Sequence, residues 1–195
     1  GDDVMLLTAA GQAVRFATTD VRVFKGRDST GVRGIRLGAG DRVVSMAVIR
    51  HFEVTPEERE AFLRQRRLIA GMTEDGAEDE DDDEAVEAGQ LSPERYAEMS
   101  AAEDLILTIT ARGAGKISSS HDYSVRGRGG QGVMAMDKAM RGGALVASFP
   151  VDQADQIMLA TSTGQSIRVP VDQISFRSRS AGGVKVFNTG GGEFV

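Results

Sequence analysis

Short apolar runs punctuated by glycine turns dominate the chain. "VMLLTA" and "AVRFAT" flank Gly11-Gln12, which reads as a β-hairpin. A polar loop, "KGRDST", then leads into "GVRGIRL", and "GAGD" leads into "RVVSMAVI". Four short strands with turn signals between them therefore fill the first 50 residues or so.

The unit recurs. "DDVMLLTAAGQAVRF", "DLILTITARGAGKIS" and "DQIMLATSTGQSIRV" align on Asp2, Asp104 and Asp155, and nine residues later on Gly11, Gly113 and Gly164. About twenty residues further on, each copy carries a Gly-Val pair: Gly31-Val32, Gly132-Val133 and Gly183-Val184. The second and third copies are 51 residues apart and the first and second 102, so about 51 residues are inserted before the second copy. A four-stranded unit of this length, repeated, predicts an all-β, propeller-like array of about three blades. A β-sandwich with accidental self-similarity is disfavoured by three aligned sets of anchors. The expected divisions are blades at 1–50, 105–154 and 155–195, the last incomplete at its C-terminal end, and an insertion at 51–104.

The insertion is different material. In "TPEEREAFLRQRRLIAG", Thr55 is a candidate N-cap, Pro56 takes the first helical position, acids follow, and bases and Gly71 close the run, which predicts a helix. "EDGAEDEDDDEAVEAG" is a block of like charge and reads as disordered. "SPERYAEMSAAED" predicts a second short helix. The plain expectation is a solvated insertion protruding from one end of a blade.

Charge changes the picture. The chain of 195 residues has a net charge of −6, which alone argues against nucleic acid. Residues 51–104 hold 18 acids and 5 bases, a net of −13, whereas the rest hold 11 acids and 18 bases, a net of +7. A basic body is masked by an acidic segment, and that segment is a candidate competitor for whatever the basic surface binds. Apolar residues make up 41% and charged ones 27%, the balance of a soluble globular protein. No apolar run approaches the ~18 residues of a membrane helix, so no membrane partner is expected. With no cysteine and no signal-peptide pattern, thiol chemistry, disulfides and secretion drop out, and a cytoplasmic location is the expectation. Gly1 at the start and an abrupt end after Phe194-Val195 read as cuts from something longer.

The bases cluster by position within the repeat. The first copy carries Arg15, Arg22, Lys25, Arg27, Arg33 and Arg36, the second Lys116, Arg126, Arg128, Lys138 and Arg141, and the third Arg168, Arg177, Arg179 and Lys185. Most fall on the second strand, on the loop after it, or just past the Gly-Val pair; "VVSMAVI" and "LVASFPV" have none. Repeated around an array, this sector makes a basic stripe suited to a line of phosphates without base reading. Gly129, Gly130 and Gly132 in "RGRGGQG" would let backbone N–H groups approach phosphate closely. Lys116 stands three residues after its hairpin glycine, where Arg15 and Arg168 stand four, which puts it on the opposite face unless a bulge at Gly115 restores the phase.

"VMLLTAAGQAVRF", "STGVRGIRLGAGDRVVSMAVI" and "QIMLATSTGQSIRV" resemble the C-terminal domain of the DNA gyrase A subunit over residues 2–50 and 104–195. The resemblance implies a six-bladed β-pinwheel, a propeller relative whose blades exchange strands, of which this chain would supply about three blades. It implies non-sequence-specific binding and wrapping of double-stranded DNA on the outer rim. That wrapping supports ATP-dependent negative supercoiling by a type IIA topoisomerase built of two A and two B subunits and associated with the chromosome. ATP and Mg would bind elsewhere in that enzyme, leaving no cofactor and no catalytic residue in this fragment. The family's basic box, Gln-Arg-Arg-Gly-Gly-Lys-Gly, has a degenerate version in "RGRGGQG" at 126–132, with Gln131 in place of lysine, and fainter echoes in "RSRSAGG" at 177–183 and "KGRDSTG" at 25–31. The expected DNA-binding set is Arg15, Lys25, Arg27, Arg33, Arg36, Arg126, Arg128, Gly129, Gly130, Gly132, Arg168, Arg177, Arg179 and Lys185. Two other readings stay open: the corresponding domain of the topoisomerase IV A subunit, and a propeller-like protein-interaction module.

Other chemistry is thin. "GRGGQG" lacks the strand-then-helix context of a dinucleotide fingerprint. His51 and His121 are isolated and read as surface or loop residues; Tyr96 falls in the insertion and Tyr123 in a loop. The acids at 78–84 would attract cations only loosely, without the ligand spacing of a calcium loop.

Overall fold

The computed structural model describes residues 1–71, 89–192 and 194–195. Most of the acidic run therefore lies outside the described residues, and so does the expectation of disorder placed on it.

Strands β1 (Asp2–Thr8) and β2 (Gln12–Ala17) form the first hairpin, turning at Gly11 with φ +91°. A 3-10 turn, Thr18–Asp20, follows, and β3 (Val43–Arg50) returns antiparallel to β1. After the insertion the second copy repeats the plan: β4 (Leu105–Thr110), β5 (Ala114–Ser119), a 3-10 turn Ser120–Asp122, β6 (Val133–Met134) and β7 (Leu145–Val151). The third copy supplies β8 (Gln156–Ala160), β9 (Ser166–Pro170) and β10 (Val184–Lys185).

The sheets are not the repeats. One four-stranded sheet runs β3-β1-β2-β6 and the other β10-β5-β4-β7, leaving β8-β9 as a two-stranded hairpin. Each complete sheet thus takes its last strand from the following repeat: Val133 pairs with Ala13, and Val184 with Gly115. This strand exchange accounts for the recurring Gly-Val pair. Gly132 has φ +81°, and a Cβ there would collide with the Ala13 carbonyl; one on Gly183 would lie 2.8 Å from the Gly115 amide nitrogen. Gly31, the first-copy counterpart, has nothing within 4 Å of its Cβ direction, because no preceding sheet lies under it in this chain. For the same reason "GVRGIRL", expected as a strand, is not one here. It folds back so that Ile35 covers Val14 and Phe16 of its own sheet.

Apolar faces stack between successive sheets. Met5, Leu7, Ala47 and Ile49 of the first repeat pack with Ile106, Tyr123, Met136 and Leu145 of the second repeat. Leu107, Ile109 and Ile117 of the second pack with Ile157, Leu159 and Phe187 of the third repeat. The edge strands β3 and β7 meet on one side, where the Ser45 hydroxyl donates to the Ser148 carbonyl. The exchanged strands β6 and β10 occupy the opposite, outer edges.

Through the first of these interfaces runs a buried charge. Arg15 is 4% exposed and its Nε lies 2.7 Å from Oδ2 of Asp3, which is fully buried. The same guanidinium donates to the carbonyls of Ser120 (2.8 Å) and Tyr123 (3.2 Å) in the second repeat and of Arg50 (3.0 Å) in the first.

The insertion forms two capped helices. Thr55 and Glu58 make a reciprocal capping box at the start of α1 (Pro56–Ile69), and Ser92 caps α2 (Pro93–Ala102). Arg50 holds the end of α2 through the Ala101 and Glu103 carbonyls, where a cation also suits the helix dipole. The helices are docked rather than protruding. Phe62 and Met99 are fully buried, the Phe62 ring meets His121 edge-on at 5.0 Å, and His121 Nε2 donates to the Met99 carbonyl at 2.8 Å. His121, expected as a surface or loop residue, lies in the turn after β5 but is buried in this contact.

Arg15→Met leaves the buried Asp3 carboxylate to His51 and takes a donor from the Ser120, Tyr123 and Arg50 carbonyls; we expect a loss of about 3 kcal/mol, the lower end for a broken buried pair, measured by denaturant unfolding. Gly132→Ala should cost about 1–3 kcal/mol and release β6 from β2, seen as faster amide exchange at Ala13 and at Ala135, whose N–H is bonded to the Gly11 carbonyl at 2.7 Å.

Candidate nucleic-acid interface

The loop entering β6, residues 124–132, crosses the outer edge of the first sheet and is tied down through its backbone. Arg126 N donates to the Arg15 carbonyl (2.8 Å), Gly129 N to Gly34 O (2.6 Å), and Arg36 N to Gly130 O (2.7 Å). These bonds bring Arg33 and Arg36 alongside Arg126 and Arg128, all four exposed. Arg128 Nε donates to the Asp20 carbonyl at 3.0 Å and Nη1 to Arg33 O at 3.3 Å, while Arg126 Nε reaches Ser124 at 3.3 Å. Lys25 and Arg27 are exposed on the loop after the first 3-10 turn. The loop entering β10, residues 175–183, crosses the second sheet in the same way: Arg177 N donates to Ile117 O at 2.7 Å, and Arg177 is half-buried. Lys185 is exposed on β10, its ammonium 3.3 Å from Asn188 Oδ1.

Two of the expected DNA-contacting residues are corrected. Arg15 is enclosed between sheets with its guanidinium taken up by Asp3 and three carbonyls, and cannot reach a phosphate there. Arg179 is 2% exposed, donating to the carbonyls of Asp122 (2.9 Å) and Met134 (2.5 Å). Arg168 stands at Arg15's position in the third repeat; it is exposed because no further repeat covers that face of β8-β9, not because it lies on the outer edge. Gly132 serves the strand exchange, whereas Gly129 (φ +86°) and Gly130 shape the exposed tip. Lys116, placed on the opposite face by its phase, is fully buried there, and its ammonium donates to the carbonyls of Ser178 (3.0 Å), Arg179 and Ala181 (2.5 Å).

Among the described residues no three His, Cys, Asp or Glu side chains are arranged to hold a metal ion, and no helix is long and apolar enough to cross a membrane. Tyr123 is 1% exposed and burial pushes its hydroxyl up to about 12, the reverse of an activated nucleophile.

A family model described as DNA gyrase C-terminal domain, beta-propeller, matches residues 2–50, 104–152 and 155–195, the three repeats without the insertion. The chain belongs to this gyrase domain family. The DNA gyrase A subunit of Granulibacter bethesdensis is 45% identical over 206 residues, covering 100% of this chain and 22% of that protein. Its counterpart in Rickettsia bellii is 36% identical over 197 residues, covering 100% and 21%. The chain thus spans about a fifth of the length of these curated relatives. The solved C-terminal domain of DNA topoisomerase IV superposes with a TM-score of 0.63 at 19% identity, over 96% of this chain and 42% of that one. The E. coli ParC C-terminal domain gives 0.58 at 13%, over 100% and 60%. These likenesses place the fold. The exchange of strands between sheets is the gyrase domain's propeller built from repeats that complete one another.

Two histidines in this domain titrate in opposite senses. His51 lies 2.8 Å from both Glu53 and Asp3, which both accept only from the protonated ring, so these bonds hold its pKa above the ordinary imidazole value. Burial beneath the insertion holds His121 below that value, against the Met99 hydrogen bond. The His51 contribution to stability is therefore complete below about pH 6.5 and lost as pH rises through its folded pKa. The His121 contribution is complete above about pH 6.5 and lost as pH falls through its own. NMR titration of the Cε1–Hε1 signals should place the two midpoints on opposite sides of about 6.5, and Glu53→Gln should lower only that of His51.

Proposed function

We propose that this domain binds double-stranded DNA along its outer edge without reading sequence, and wraps it. In that role it supports ATP-dependent negative supercoiling by a gyrase of two A and two B subunits. The carrying observation is the cluster of exposed Arg33, Arg36 and Arg126, whose loops are fastened to one another by the 2.6 and 2.7 Å bonds between residues 34–36 and 129–130 and by Arg128, which is bonded to the Asp20 and Arg33 carbonyls. Cations fixed on a rigid edge meet a regular line of phosphates with little ordering cost, and the interaction carries no base information. The domain contributes binding and DNA geometry; bond cleavage, ATP and Mg belong to other parts of the enzyme. Gyrase is preferred to topoisomerase IV because the relatives that share 45% and 36% of the sequence over the whole chain are gyrase A subunits.

The double variant Arg36→Ala/Arg126→Ala should lower the slope of log K against log salt by about 0.9 for each phosphate left without its cation. It should also reduce the linking-number shift that remains after a nicked plasmid is religated with the protein bound. A salt response that is flat in the unaltered chain, or a plasmid religated without any shift, would refute the reading.

A further inference from the structure

The three tips share a spacing of two cations: Lys25-x-Arg27, Arg126-x-Arg128 and Arg177-x-Arg179. In the two tips that lie across a preceding sheet, the second arginine makes the same bond. Arg128 Nε donates to the Asp20 carbonyl at 3.0 Å, and Arg179 Nε to the Asp122 carbonyl at 2.9 Å. Asp20 and Asp122 close matching 3-10 turns, so one device is present twice. Each guanidinium also reaches a second carbonyl, that of Arg33 for Arg128 and that of Met134 for Arg179. The geometry persists although Arg128 is exposed and Arg179 buried, so solvent does not dictate it. A planar fork bridges two fixed carbonyls; a lysine ammonium on its flexible stem does not reproduce that span. The backbone of the first cation complements it, Arg126 N and Arg177 N bonding the second strand of the preceding sheet.

We propose that the second arginine of each pair, Arg128 and Arg179, is a positioning residue. It pins the tip to the preceding sheet and so aims the first, Arg126 or Arg177, outward. That Arg126 and Arg177 then meet phosphate rests on the DNA-binding reading above; the anchoring does not. In the second tip, the Lys116 ammonium gathers three carbonyls of the same loop and adds to the hold. Arg27 has the spacing but no preceding sheet under it in this chain.

The test compares Arg126→Ala, Arg126→Lys, Arg128→Ala and Arg128→Lys in the full chain, since Arg128 is exposed and its variants keep the buried core. Amide exchange at Gly129 and Arg36 should rise about tenfold in both Arg128 variants, the size of one such bond, and stay unchanged in both Arg126 variants. On a random-sequence duplex, Arg126→Lys should bind as the parent does, and Arg126→Ala should lose about 0.9 of salt slope. Arg128→Lys should weaken binding as much as Arg128→Ala. Parent-like exchange and affinity in Arg128→Lys, with Arg128→Ala losing slope like Arg126→Ala, would make Arg128 a phosphate contact and overturn the proposal. If the parent shows no salt-dependent binding, the proposed function fails, and the exchange data alone decide whether Arg128 anchors the tip.

Discussion

A single guanidinium holds the first two blades in register. Arg15 reaches its carboxylate, Asp3, within its own sheet, and then turns its remaining donors on carbonyls of both repeats. A charge so placed tolerates little displacement, because any slip of one sheet over the other leaves a buried ion or a buried carbonyl without its partner. Apolar stacking between the sheets supplies most of the cohesion, but it is non-directional. The polar contact fixes where each sheet sits on its neighbour.

The outer edge inherits that fixity. Tip 124–132 is fastened by the Arg15 carbonyl, by Gly34 and by Arg36, and it leads straight into the exchanged strand β6. In the proposed function such fastening favours binding, since cations on a mobile loop would lose ordering entropy on meeting a stiff polyanion. The insertion is likewise part of the framework. Its helices close over His121, and the Arg66 guanidinium stacks on the Phe176 ring at 4.3 Å, next to Arg177 at the base of the second tip.

Much of this is legible in the residues. The repeat, the hairpin glycines, the Gly-Val pairs and both helices with their caps follow from spacing and cap chemistry, as Thr55-Pro56 and Ser92-Pro93 illustrate. The fate of individual cations is not. Arg15 and Arg168 occupy the same repeat position, yet one is enclosed and the other open, because burial depends on a neighbour more than a hundred residues away in one case and missing in the other. Arg128 and Arg179 share a repeat position and a bond to the preceding repeat, yet one is exposed and the other buried. His121 looks isolated in sequence because the rings that enclose it, Phe52 and Phe62, come from the insertion. Phase puts Lys116 on the correct face, but the carbonyls that receive it belong to the next repeat.

Strand exchange gives the array a polarity. The second sheet is whole without the first repeat, whereas removing the third would strip it of β10 and of the Arg179 and Lys116 fastenings. Damage therefore travels toward the N-terminus: a lesion in one tip is felt as a frayed edge in the blade before it, and a phenotype mapped to one repeat has to be sought in its predecessor.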